Sequence, residues 1–228
     1  YHMMGVLARE HPKTAMTINA TPVLLEQLAD YSRDDFKDKI LDVIRKAADS
    51  LNGEDVGLLL DHAFKLNVPT MIAPYRRYME LRNILESSSP ARVRVEELRD
   101  LQVWYLLTWA GEPLRRREDV AELYKKGKRF SEGDKNRLFE ICHQAVKDVI
   151  GVYRAAQEEG AVELSTTPYY HPILPLLIDC EAARESRGNV QLEGISFRFP
   201  QDARWHVEEA IRSHTAHFGA PPQGMWPA

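Results

Sequence analysis

The sequence predicts an α/β fold that is predominantly helical, with a few short strands and one large helical insertion between the first two. Three observations carry this reading. Short β-prone stretches occur near 13–19 and 161–165, and another starts at Gly224. Helical periodicity fills residues 33–159 almost without interruption, far more than the single helix of a plain βα crossover. The stretch after Gly160 ends in a run of hydroxyl, aromatic and imidazole side chains, which is how a strand of an α/β barrel presents a site at its C-terminal end. A βα-barrel with one helical insertion explains this pattern better than a plain bundle.

Taken in order, Tyr1, Met4, Leu7 and Ala8 read as one face of a helix that has no starting methionine or cap. Residues 13–19 (Lys-Thr-Ala-Met-Thr-Ile-Asn) are short and β-prone, hence a strand. Thr21 and Pro22 then supply an N-cap and a proline at the first helical position, and a helix runs through Val23, Leu24 and Leu28 to about Tyr31. Asn19 and Thr21 read as turn and cap chemistry, with sugar contact as the other reading. Phe36, Ile40, Val43, Ile44 and Ala47 keep one face apolar, and residues 54–65 and 71–85 continue the helical pattern. Ser87-Ser-Ser-Pro90 is a break.

Residues 95–109 form the most apolar helix, through Leu98, Leu101, Trp104, Tyr105, Leu107 and Thr108. Ser131 caps the next one, with Asp134 as a weaker form of the capping box. Its buried face is Leu138, Ile141, Cys142, Ala145, Val149, Val152, Tyr153 and Ala156, and Gly160 ends it. After the strand at 161–165, Pro172 and Pro175 bracket an apolar run from Ile173 to Ile178. Residues 187–199, with Val190, Gly194 and Ile195 to Phe199, read as a loop with a short extended piece. A last helix at 200–218 has Ala203, Val207, Ala210, Ile211, His214 and Phe218 as its buried stripe.

Composition limits the function classes. A chain of 228 residues fits one domain with a sizeable core, or one part of a larger one. A formal charge of −4 gives no reason to expect nucleic acid or an anionic membrane. No apolar run approaches the ~20 residues that span a bilayer, and no secretory signal opens the chain. Cys142 and Cys180 make neither a disulfide framework nor a zinc spacing, so a reducing, cytoplasmic compartment is expected. Arg115-Arg-Arg117 reads as a solvated turn and His62 as a helix histidine. His214 and His217 could share a helix face, but a third ligand is not in view, so no metal is expected. Adjacent acids at Asp34-Asp35, Glu158-Glu159 and Glu208-Glu209 point different ways and read as solvated charge. The chain carries no G-x-S-x-G, P-loop or G-x-G-x-x-G pattern.

The most informative stretch is Glu163-Leu-Ser-Thr-Thr-Pro-Tyr-Tyr-His-Pro-Ile-Leu-Pro-Leu-Leu177. It resembles the segment of glycoside hydrolase family 57 that reads G-x-x-E-L-x-T-x-P-Y-Y-H-P-I-L-P-L-L. Gly224-Met-Trp-Pro-Ala228 resembles the start of that family's G-x-W-x-x-E motif. Asn19-Ala-Thr-Pro-Val-Leu-Leu-Glu-Gln-Leu-Ala-Asp-Tyr31 is similar to its N-x-x-P-x-L-L-x-Q-L-x-x-Y segment. The resemblance implies an incomplete seven-stranded (β/α) barrel, of which residues 1–228 would be an N-terminal fragment. In the family a His-x-His-Gln-Pro strand precedes the first of these residues and a glutamate follows the last. It also implies retaining cleavage or transfer at α-1,4, or α-1,6, bonds of an α-glucan or oligosaccharide, as in the α-amylase and 4-α-glucanotransferase members, with no metal or organic cofactor. The family's glutamate nucleophile and aspartate acid/base sit on later strands, so no catalytic residue is expected here.

Substrate contacts are expected from Glu163, Thr167, Tyr170, His171, Trp226 and Trp109. Glu163 at a strand end could face the barrel interior and hold sugar hydroxyls, or be a partly exposed strand residue. His171 is either clamped structurally between Tyr170 and Pro172 or hydrogen-bonds a sugar hydroxyl or catalytic carboxylate. Trp226 would lie beside the sugar site by resemblance. Trp104 reads as core. Trp109, at its helix end, reads first as core and second as a ring that stacks on sugar. Two rival functions stay open. One is a non-catalytic helical interaction module, favoured by the helix content. The other is a metal-dependent carbohydrate deacetylase on a related barrel, which would need Asp and His ligands grouped near strand ends.

Overall fold

A computed structural model describes residues 1–87, 93–192, 194 and 196–227. In chain order the elements are α1 (His2–Glu10), β1 (Met16–Asn19), α2 (Pro22–Tyr31), α3 (Lys39–Arg45), α4 (Gly53–Ala63) and a π-helical turn (Val68–Ile72). Then come α5 (Arg76–Ser87), α6 (Val95–Trp109), α7 (Glu112–Arg115), α8 (Glu118–Lys126) and α9 (Glu132–Glu158). β2 (Val162–Ser165), α10 (Leu174–Ile178), α11 (Ala183–Ser186) and α12 (Pro200–Phe218) follow. The chain divides into two compact units, one made of Tyr1–Asp30 with Lys147–Ala228 and the other of Tyr31–Val146. The first half of α9 belongs to the second unit and its latter half to the first.

The strand-bearing unit holds a parallel pair, Met16 opposite Val162 through Asn19 opposite Ser165. An isolated parallel bridge joins Thr166 to Met225. Across it the Thr166 N–H donates to the Gly224 carbonyl at 3.1 Å and the Trp226 N–H donates to the Thr166 carbonyl at 2.8 Å. Among the described residues the sheet is these two strands and this bridge; barrel closure is not seen. β1 starts at Met16, and residues 13–15, expected as strand, enter a turn in which the Thr14 N–H donates to His11.

Period-two alternation sorts the sheet into two faces. Val162 and Leu164 are buried, while Glu163, Thr17 and Asn19 are exposed. Ile18 on the covered face lines a small apolar cavity together with Leu24, Leu25 and Leu28 of α2, Val149 and Tyr153 of α9, and Phe218 of α12. α1 crosses α9 closely at Gly5, where an added Cβ would lie 2.7 Å from Val152 Cγ1. Gly219, at φ 81°, closes α12 by donating to the Thr215 carbonyl at 2.8 Å. The α12 stripe differs from expectation: Ala203, Ala210, Ser213, His214 and Phe218 are buried, but Ile211 is exposed.

The helical unit packs α3 to α8 and the start of α9 around Ile44, Leu59, Ile72, Tyr78, Leu81, Leu101, Leu107 and Leu138. α6 is buried nearly all round, as a central helix must be. Its polar side chains are therefore paired. Gln102 donates to the carbonyls of Val43 and Lys46 at 2.8 and 3.1 Å. Asp100 accepts from Arg77 at 2.9 Å. The buried Lys135 ammonium meets Glu132 at 2.7 Å. α3 begins only at Lys39, because the Asp38 carboxylate accepts from the N–H groups of Ile40 and Leu41 and caps it. Ala47, expected on its apolar face, lies beyond its end. Ser131 and Asp134 form the reciprocal cap of α9. Of the break at 87–90, α5 ends at Ser87 and positions 88–90 lie outside the described residues, as do Glu193, Ile195 and Ala228. No helix among the described residues is long and apolar enough to cross a membrane.

Candidate functional site

Parallel pairing brings the C-terminal ends of β1, β2 and the Gly224–Trp226 segment to one edge. That edge is where α/β folds bind ligands. On the open face the Thr17 hydroxyl donates to Glu163 Oε2 at 3.0 Å. A Cβ built on Gly224 would sit 3.7 Å from Ser165 Cβ and 4.0 Å from Glu163 Oε1. Glu163, Ser165 and Gly224 therefore share a face across neighbouring strands. Trp226 follows on the same segment with 64 % of its surface exposed.

The loop after β2 is a tight turn. The His171 N–H donates to the Pro168 carbonyl at 2.7 Å, and His171 takes a left-handed φ of 56°. This is uncommon for a side-chain-bearing residue, although histidine adopts it more often than most, and Arg129 shares the same φ. α12 holds the turn: the Tyr169 N–H donates to the His206 carbonyl at 3.0 Å and the Tyr170 N–H to His206 Nδ1 at 3.3 Å. The buried Tyr169 ring reaches Glu26 of α2 with its hydroxyl, and that hydrogen bond, helped by burial, pushes its pKa up to about 12.

The structure sorts the expected contact residues. Glu163 and His171 are exposed, and Tyr170 is 61 % exposed. Thr167 is fully buried, with an Oγ1 that has no hydrogen-bond partner, so its hydroxyl does not reach the open edge. Trp104 is core and donates to the Gly127 carbonyl at 2.9 Å. Trp109 is not core: it ends α6 with 61 % of its surface exposed. It belongs to the helical unit, while Glu163, Tyr170, His171 and Trp226 belong to the strand-bearing one.

Other sequence candidates resolve into structural roles. His214 is buried, with Nδ1 3.0 Å from the Ala220 carbonyl and Nε2 left without a partner near the Leu164 backbone; burial pushes its pKa down. His217 meets the Ser213 carbonyl at 2.8 Å and His62 that of Leu58 at 3.1 Å. Among the described residues no group of three or more His, Cys, Asp or Glu is placed to hold a metal ion. The basic triple is tied down locally and not simply solvated. Arg115 donates to the Ala110 carbonyl at 2.7 Å and lies over the Tyr124 ring; Arg117 pairs with Asp119. Asp35, Glu159 and Glu209 each pair with an arginine.

Sequence reasoning missed Thr17, Glu26, Trp205 and His206 as partners of this region. Trp205 carried a usable signal: it sits two positions from Ala203, on the far side of the buried stripe, where the helix pattern calls for a polar residue and not a large aromatic ring.

Glu163 is the second residue of β2, opposite Thr17, so its carboxylate lies on the open sheet face and not at the strand's C-terminal end as the sequence suggested. A face with a carboxylate and hydroxyls, next to a segment with an exposed aromatic ring, suits a polar ligand with apolar faces. The family model of glycosyl hydrolase family 57 matches residues 12–228, and the chain belongs to that family. Its members are glycosidases, so a carbohydrate is the substrate class. No curated protein and no solved structure matches the chain.

Proposed function

We propose that this chain forms part of the catalytic region of a retaining α-glucan-acting enzyme, of α-amylase or 4-α-glucanotransferase type, and supplies one wall of its substrate cleft. The observation that carries this reading is the open sheet face, where Glu163, Ser165 and Gly224 lie together and the exposed Trp226 follows on the Gly224 segment. Retention needs two carboxyl groups about 5 Å apart. Glu163 accepts from the Thr17 hydroxyl; in this reading it also accepts from sugar hydroxyls, and the glutamate nucleophile and aspartate acid/base are not among the residues of this chain. Trp226 stacks on the C–H face of a glucose ring. His171 hydrogen-bonds a sugar hydroxyl or one of the catalytic carboxylates. This chemistry requires no metal or organic cofactor, and the chain works in the cytoplasm.

The test is a time course of the intact gene product on maltoheptaose. Shorter saccharides alone mean hydrolysis; a ladder that includes longer products means transfer. A folded protein that turns over no α-glucan overturns the assignment.

A further inference from the structure

Trp205 lies on α12 with 46 % of its surface exposed, beside the 61 % exposed ring of Tyr170. Their ring centres are 6.1 Å apart and their planes differ by 30°. Two further rings brace the pair edge-on. Tyr169 meets Tyr170 at 4.9 Å and 83° and Trp205 at 5.6 Å and 67°. His206 meets Tyr170 at 5.8 Å and 80° and Trp205 at 5.1 Å and 78°. The backbone is fixed as well, since His206 accepts from both tyrosine N–H groups through its carbonyl and Nδ1. Accepting at Nδ1 leaves Nε2–H as the donor of the neutral ring.

Two large rings held rigidly yet half in water forgo the burial that a packing role would give them. Tyrosine and tryptophan combine an apolar face with a polar handle, the combination that pairs with the C–H face of a pyranose while its hydroxyls stay wet.

We propose that Tyr170 and Trp205 form a stacking subsite for an α-glucan chain, with His206 as the positioning residue that holds the two rings in register. The subsite rests on the α-glucan reading of the open sheet face. It extends the grip on long chains and takes no part in bond cleavage.

The experiment compares Trp205→Ala and Trp205→Phe with the wild-type intact gene product, by affinity electrophoresis through amylose gels and by kinetics on amylose and on maltotriose. Trp205→Ala is expected to weaken retention by amylose and raise KM on amylose about tenfold, with kcat and the maltotriose KM little changed. Trp205→Phe keeps a ring and restores most of the retention. An alanine variant that binds and processes amylose like the active wild type overturns the subsite and leaves the α-glucan assignment standing. Equal losses in both variants with a lowered melting temperature assign Trp205 to packing and also overturn it. A folded wild type that neither binds amylose nor turns over any α-glucan removes the underlying assignment, and the subsite with it.

Discussion

His171 pays a backbone cost for its place in the turn, since its φ of 56° is one that side-chain-bearing residues avoid by about 1–2 kcal/mol. His171→Gly relieves that cost and His171→Ala does not. The glycine variant is therefore expected to melt at or above the wild-type temperature, and both variants to lose activity on soluble α-glucan. Activity kept in both, with altered melting alone, would leave His171 a structural residue. Trp109 makes the complementary case. With 61 % of its surface exposed, Trp109→Ala should shift stability by no more than about 0.5 kcal/mol and should raise KM if the ring stacks on sugar. A large drop in melting temperature would contradict the exposed placement. The sequence placed Trp104 correctly, because its neighbours repeat at helical spacing on both sides. Trp109 was misread because that spacing runs out at the helix end, where direction depends on the chain beyond. The burial of Thr167 was not legible for a related reason: past Ser165 the strand alternation stops, and both Thr166 and Thr167 are buried.

At the scale of elements, two contacts are open to test. α1 approaches α9 through Gly5, and an alanine there would press on Val152 at 2.7 Å. Gly5→Ala is expected to cost about 1–2 kcal/mol, the overpacking outweighing the gain in helix propensity. Val152→Ala in the same chain should return part of that loss, and strict additivity in the double mutant would deny the contact. α12 carries His214, buried against the strand unit with a pKa below its ordinary 6.5 because of burial. The folded form thus favours the neutral ring, so its contribution is complete above about pH 6.5 and is lost as pH falls from there through the lowered folded value. Burial lowers His2 as well, so the informative quantity is the difference between wild type and His214→Gln at each pH. That difference should shrink on acidification, and a pH-independent gap would refute the coupling. Periodicity made α6 and α9 legible, and the Ser131 cap located the start of α9. It did not reveal the turn before α3, where the Asp38 carboxylate overrides the apolar pattern, or the turn at 13–15, where β-prone residues serve the His11–Thr14 turn.

For the whole molecule, the length of the helical stretch between two β-prone segments was enough to predict strands separated by helices. Parallel pairing of Met16–Asn19 with Val162–Ser165 is a long-range fact that four-residue strands cannot announce in sequence. The seven-stranded barrel came from resemblance, and the family match over residues 12–228 gives the glycosidase class without giving the linkage. What ties class to structure is the open sheet face, where the Glu163 carboxylate of β2 lies next to Gly224 of the neighbouring segment, on which the exposed indole of Trp226 follows. A structure of the intact gene product with maltoheptaose bound tests that claim most directly. A sugar hydroxyl is expected within hydrogen-bond distance of Glu163, and a glucose ring stacked on Trp226. Maltoheptaose bound productively elsewhere, with this face left in solvent, would contradict it.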